Sequence, residues 1–160
     1  MPLEIERKFL VANERWRAAA GDGRRLRQAY LAAGDRLSVR VRIVGDETAL
    51  LTLKAARSGA VREEFEYPIP LADAEALFAL ATGAVIDKTR YRLAHGGHDW
   101  EVDVFFGDNA GLVVAEVGLA SADEDFDRPG WLGADVTDEH RYYNAALAVR
   151  PYRSWRREGR

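Results

Sequence analysis

Short stretches of this chain alternate apolar and polar residues with the two-residue period of a half-buried β-strand. The first is Leu3-Glu4-Ile5-Glu6-Arg7-Lys8-Phe9, in which Glu4, Glu6 and Lys8 share one face and Leu3, Ile5 and Phe9 the other. Ser38-Val39-Arg40-Val41-Arg42-Ile43 alternates in the same way, as do Leu51-Thr52-Leu53-Lys54, Glu64-Phe65-Glu66-Tyr67, Lys88-Thr89-Arg90-Tyr91-Arg92-Leu93 and Trp100-Glu101-Val102-Asp103-Val104. Glu116 stands among Val114, Ala115 and Val117. The pattern predicts strands near 3–10, 26–32, 36–44, 48–55, 61–69, 87–94, 99–106 and 112–119. Turn residues join several of them: Ala33-Gly34-Asp35, Gly45-Asp46, Arg57-Ser58-Gly59 and His95-Gly96-Gly97-His98. Helices are expected between the strands. Asn13 would cap a short one over 14–20, and Pro70 opens 71–81 with an apolar stripe of Leu71, Leu77, Phe78 and Leu80. Ser121-Ala122-Asp123-Glu124 reads as a capping box, and Thr137 as the cap of a helix over 138–148.

The polar faces collect seven acids, Glu4, Glu6, Glu64, Glu66, Glu101, Asp103 and Glu116, and six bases, Lys8, Arg40, Arg42, Lys54, Lys88 and Arg90. A solvated sheet face mixes in Ser, Thr, Gln and Asn. Here ionised residues of both signs dominate strand after strand, which points to a shared interior. The expected fold is α+β: an eight-stranded antiparallel β-barrel, a tunnel with a charged lumen, covered outside by a few helices. Such a lumen cannot serve as the hydrophobic core. Trp16, Phe78, Trp131 and Leu147 are therefore candidates for packing on the outer face. Two carboxylates on one strand face, about 7 Å apart, repel unless a cation lies between them. The lining is stable only if acids pair with bases, bind metal, or face a polyanion.

Composition narrows the class. At 160 residues the chain fits one domain, taken as residues 1–150, with 48% hydrophobic and 31% charged residues. Without Cys there is no disulfide, no thiolate nucleophile and no Cys-ligated metal. A net charge of −3 gives no field for nucleic acid. No apolar run nears the length of a membrane span, and the N-terminus enters a charged strand directly, so no signal peptide and a cytoplasmic location are expected. The last ten residues, 151–160, carry four Arg against one Glu; this basic tail is +3 and reads as flexible and solvated, or as a patch that steers phosphate-bearing ligands or RNA.

Taken in order, these motifs resemble the CYTH superfamily, the triphosphate tunnel metalloenzymes, over about residues 2–149. The resemblance rests on Glu4-Ile5-Glu6-Arg7-Lys8-Phe9-Leu10-Val11, Gln28-x-Tyr30-Leu31, Arg40-x-Arg42, Thr52-x-Lys54, Arg62-x-Glu64-x-Glu66, Lys88-Thr89-Arg90-Tyr91, Glu101-x-Asp103-x-Phe105 and Arg141-Tyr142-x-Asn144. Each piece is weak alone; the ordered set is specific, and it is most similar to short bacterial stand-alone members.

The resemblance implies a tunnel that binds a triphosphate, with Mg²⁺ or Mn²⁺ held by carboxylates. Carried over, Arg40, Arg42, Lys54, Lys88 and Arg90 would bind phosphate, and Glu4, Glu6, Glu64, Glu66, Glu101, Asp103 and Glu116 would hold metal and orient water. A Lys–Tyr pair on neighbouring strands is proposed to assist catalysis in related enzymes, and Lys8 with Tyr30 takes that place. Hard divalent cations prefer carboxylate oxygen and Arg or Lys neutralise phosphate, so residue chemistry agrees. The implied activity is a metal-dependent triphosphatase, first on inorganic triphosphate. Nucleoside triphosphate, thiamine triphosphate or another phosphorylated metabolite is the alternative, and a weakly catalytic polyphosphate- or nucleotide-binding module a third. A homodimer is open.

One departure bears on these readings. Family members commonly end the eighth strand with Glu-x-Glu, and here it reads Glu116-Val117-Gly118. One carboxylate is missing, which weakens a metal position or makes room for a different substrate. His140 stands where related chains often have Lys; it reads as a surface residue at a helix end or as a phosphate contact that titrates near neutrality. His95 and His98 read as a plain hairpin rather than a metal pair.

Overall fold

The computed structural model describes residues 3–34, 36–58 and 61–156. Asp35 and Gly59, in two of the expected turns, and residues 157–160 of the tail lie outside the described residues. Among the described residues the strands are β1 (Leu3–Val11), β2 (Arg24–Ala33), β3 (Leu37–Val44), β4 (Thr48–Ser58), β5 (Val61–Ile69), β6 (Ile86–His95), β7 (His98–Phe105), β8 (Val113–Gly118) and β9 (Leu132–Asp135). The helices are α1 (Leu71–Phe78), α2 (Asn144–Val149) and α3 (Tyr152–Trp155).

The first eight strands form a closed antiparallel barrel. Their order is β5-β4-β3-β2-β6-β7-β8-β1, and β1 returns to pair with β5 through Leu3, Glu4 and Ile5. β9 pairs with β1 at Phe9 and Val11, along the edge that β5 leaves free. This ninth strand was not expected, because four residues give too short an alternation to read. β3 and β4 meet at Gly45 and Asp46, both with positive φ, and β6 and β7 meet at Gly96 and Gly97. Paired positive φ values match the right-handed twist of the flanking strands.

Register carries the charged faces inward. Lys8 opposes Glu116, Glu116 opposes Glu101, and Asp103 opposes Arg90. Across the other wall Tyr30 opposes Arg40, Arg40 opposes Thr52, and Thr52 opposes Glu66.

The outer face divides into two apolar patches. Phe9, Leu93, Trp100, Val102 and Val117 pack under Trp16 and Trp131, while Val41, Ile43 and Ala49 pack under α1 through Ala74, Leu77 and Phe78. Leu147 behaves differently. It packs with Ile86, Phe105, Leu112 and Val114 and with Trp155. Ile86, Phe105 and Val114 lie on the same strand faces as Lys88, Asp103 and Glu116. Part of the lumen is therefore an apolar core after all, filled by α2 and α3, and the expected outer position for Leu147 is corrected.

Three helix expectations also change. Asn13 accepts a hydrogen bond from the Arg15 backbone N–H at 3.0 Å, yet only a 3₁₀ turn follows, Arg15–Ala18. Glu124 accepts from the Ala120 N–H in a turn, with no helix. Thr137 caps nothing: its hydroxyl accepts from the Lys8 N–H at 3.0 Å and donates to Asp135 at 2.6 Å, and a 3₁₀ turn and α2 occupy the span given to one helix. A cap residue and a cross-strand polar tie look alike in sequence. The basic segment is placed as far as Arg156: α3 is a helical turn and Trp155 is 3% exposed.

Candidate functional site

Where the inward polar faces meet, the barrel holds a cavity of about 600 Å³. Its wall includes Glu4, Glu6 and Lys8 from β1, Tyr30 from β2, Arg40 and Arg42 from β3, Lys54 from β4, Glu64 and Glu66 from β5, Arg90 from β6, Glu101 from β7 and Glu116 from β8. Of the residues expected from sequence to bind phosphate, hold metal or assist catalysis, Lys88 and Asp103 alone are not on the wall; they lie behind it, 0% and 1% exposed.

Asp103 is committed to the protein. It accepts from Arg90 Nε at 2.7 Å and Nη2 at 2.8 Å, and from Lys88 Nζ at 2.7 Å. Burial opposes its ionisation, but Arg90 and Lys88 outweigh burial and hold the carboxyl well below its usual range. Both of its oxygens accept from these two cations, and Arg90 reaches on to the cavity wall. Lys88 also donates to Asn144 Oδ1 at 3.1 Å, and burial pushes its ammonium down to about 7.

The other cations are tethered more loosely. Arg42 Nε donates to Gln28 Oε1 at 2.8 Å, and Gln28 Nε2 donates to the Tyr30 hydroxyl at 3.2 Å. Burial, with Arg40 and Arg90 nearby, brings the Arg42 guanidinium down to about 9. Arg40 reaches Thr52 at 3.4 Å and Glu66 at 3.8 Å. A cation pressed toward its neutral form by burial and like charges is a cation that a polyanion would satisfy.

The acids form a complementary cluster. Glu4 lies 2.9 Å from Lys54, and Glu64 lies 3.6 Å from it. Glu4 acts on Glu64 as a like charge, and Glu116 and Glu4 act in the same way on Glu6. Burial, then Glu116 and Glu4, drive the Glu6 carboxyl well above its usual range. Glu116 goes the other way: burial is outweighed by Lys8 and Arg90. Among the described residues no three acidic or imidazole groups converge on one metal position as they stand. The donor chemistry nevertheless fits a hard cation, since all donors are carboxylate oxygens and burial, with Glu116 and Glu4 nearby, opposes the charge on Glu6 that a cation would offset.

Lys8 and Tyr30 both line the cavity, but their strands are not neighbours: β1 lies between β8 and β5, and β2 between β3 and β6. The expected adjacent-strand pairing is corrected. Lys8 instead sits 3.6 Å from Glu116 with its ammonium 4.5 Å from the centre of the Tyr143 ring. Arg62, named in a motif from sequence but given no role, opposes Glu4 and lies over the same ring at 4.6 Å. Arg62 was legible, being in alternation with Glu64 and Glu66; Tyr143 was not, because it lies in a turn with no period. His140 lines the cavity as an exposed residue. His95 and His98 form the hairpin end, and His98 Nε2 contacts Glu124 at 2.7 Å.

A family model described as the CYTH domain matches residues 2–150. An inorganic triphosphatase of Acetivibrio thermocellus is 40% identical over 157 residues, 98% of this chain and 99% of that protein. One from Nitrosomonas europaea is 38% identical over 154 residues, 91% of this chain and 97% of that protein. A crystal structure of an inorganic triphosphatase superposes with a TM-score of 0.66 at 36% identity, covering 93% of this chain and 96% of that one.

Proposed function

The chain belongs to the CYTH domain family, and from that premise we propose that it hydrolyses inorganic triphosphate with the help of a divalent cation. The observation that carries this reading is the juxtaposition, across one cavity, of Arg40, Arg42 and Arg90 with the cluster Glu4, Glu6, Glu64 and Glu116.

Phosphoryl transfer asks a protein mainly for in-line positioning and charge neutralisation. Arg40, Arg42, Lys54 and Arg90 bind the phosphate oxygens, and Lys88 supports them from behind through Asp103 and Asn144. Glu4, Glu6, Glu64 and Glu116, with Glu66 and Glu101 beside them, are the residues that would hold Mg²⁺ or Mn²⁺. When bound, the cation neutralises charge on the attacked phosphoryl group. Lys8, beside Glu116, and Tyr30, beside Arg40, face the phosphate chain as hydrogen-bond donors. Water attacks a terminal phosphorus, its bond to the bridging oxygen breaks, and orthophosphate and pyrophosphate leave. The protein acts in the cytoplasm, and the negative net charge disfavours nucleic acid as a partner.

Gly118 favours a second reading, a binding module with slow turnover, because it stands opposite Glu6 where an acid was expected. Phosphate release measured on tripolyphosphate, pyrophosphate, ATP and thiamine triphosphate, with Mg²⁺ and with Mn²⁺, decides between them. Turnover on tripolyphosphate above the others supports the hydrolase. Tripolyphosphate that raises the melting temperature without being cleaved supports the module. No shift and no release would overturn both.

A further inference from the structure

Lys8 is held from one segment at both its backbone and its side chain. Its N–H donates to the Thr137 hydroxyl, its carbonyl accepts from the Val136 N–H at 2.8 Å, and its ammonium lies over the Tyr143 ring. The Tyr143 hydroxyl donates to the Thr137 carbonyl at 2.6 Å, which fixes the ring. Burial keeps that phenol protonated by raising it to about 12, although Arg62 pulls the other way. Arg62, from β5, reaches the same ring. Direct pairing of β1 with β5 covers only Leu3, Glu4 and Ile5, so near Lys8 the two strands no longer hold each other.

We infer that Tyr143 is a positioning residue for the proposed hydrolysis, its ring holding Lys8 and Arg62 together as a pair of cations directed into the cavity. The inference rests on the functional reading above and adds a residue to it. Two like charges brought close repel, and a lysine stem loses rotamer freedom when fixed. An aromatic face attracts both cations without neutralising either, unlike a carboxylate. The competitor for Lys8 is Glu116, 3.6 Å away. Without the ring, Lys8 turns fully onto Glu116, which removes one cation from the phosphates and one acid from the metal cluster.

The contact is read by NMR and its role by kinetics. Lysine side-chain methylene signals assigned to Lys8 with Lys8→Met should be shifted upfield by the ring current in the wild type and in Tyr143→Phe, and should return to ordinary positions in Tyr143→Leu. A wild-type spectrum with no shifted lysine overturns the inference, whether or not the leucine variant folds. On tripolyphosphate with Mg²⁺, Tyr143→Leu should lower kcat/KM by about tenfold or more, the scale of a desolvated cation–π contact, and Tyr143→Phe should recover to within about threefold. In a Lys8→Met background the leucine change should cost less than about threefold, because coupled residues are not additive. Phenylalanine as poor as leucine, or full additivity with Lys8→Met, overturns the role. If the wild type cleaves no triphosphate, the functional reading falls, while the NMR result still decides the ring contact.

Discussion

Glu6 and Gly118 face each other across β1 and β8, and nothing lies within 4 Å of the point where a Cβ on Gly118 would stand. A side chain there would share the inward face of Glu6 and Glu116. Gly118→Glu should therefore fold, tighten Mg²⁺ binding by calorimetry and raise tripolyphosphate turnover. If the gap serves another substrate, the change should abolish that activity and create triphosphatase activity. Unchanged metal affinity together with an unchanged substrate profile would show that position 118 does not face the site.

Glu6→Gln should raise the melting temperature measured without divalent cation. The Glu6 carboxyl is raised in the folded state, so ionising it costs stability. That cost is absent below the unfolded pKa near 4.5 and grows as pH rises through the folded value. The advantage of the glutamine variant should accordingly be larger at pH 8 than at pH 5. With Mg²⁺ and tripolyphosphate present, the same variant should lose turnover.

Asp103 should show the opposite stability effect. Its carboxyl is lowered in the folded state, which adds stability above its ordinary range that is lost only as pH falls through the lowered value. Asp103→Asn leaves Lys88 and Arg90 without their anion, and breaking a buried pair in this way costs about 3–5 kcal/mol. Chemical denaturation measures it. A loss confined to metal affinity, with stability intact, would return Asp103 to the list of metal ligands.

Arg40→Ala and Arg42→Ala should each weaken tripolyphosphate binding by about 1.5–3 kcal/mol, the scale of hydrogen bonds to a charged group. Titration calorimetry at low salt reads this directly. Arg42→Ala should leave stability nearly unchanged or improve it, since burial and its cationic neighbours already oppose its charge.

Most of the site was legible because a strand is the one element whose side chains declare their face by simple parity. Glu4, Glu6, Lys8, Arg40, Arg42, Lys54, Glu64, Glu66, Arg90, Glu101 and Glu116 were found that way, and all reach the cavity. Parity says which face a residue takes, but it does not say how deep along the lumen the residue lies. Lys88 and Asp103 have the right face and stand behind the wall, next to the apolar end formed by Phe105 and Ile86. The helical spans read poorly for a related reason: Asn13, Thr137 and the Ser121–Glu124 box carry cap chemistry that turns use equally well.

The barrel, its inward charge and its acid and base sets are written in the chain, because alternation at period two is a local property that neighbouring residues already encode. Tertiary structure alone decided which strands adjoin, and so separated Lys8 from Tyr30 and brought Lys8 to Tyr143, 135 positions later in the numbering. It also decided that α2 and α3 fill part of the lumen with Leu147 and Trp155. The physical reason is range. A face is set by the backbone geometry of two adjacent residues, whereas a contact between distant segments depends on closing the sheet and on which apolar surface remains to be buried once it has closed.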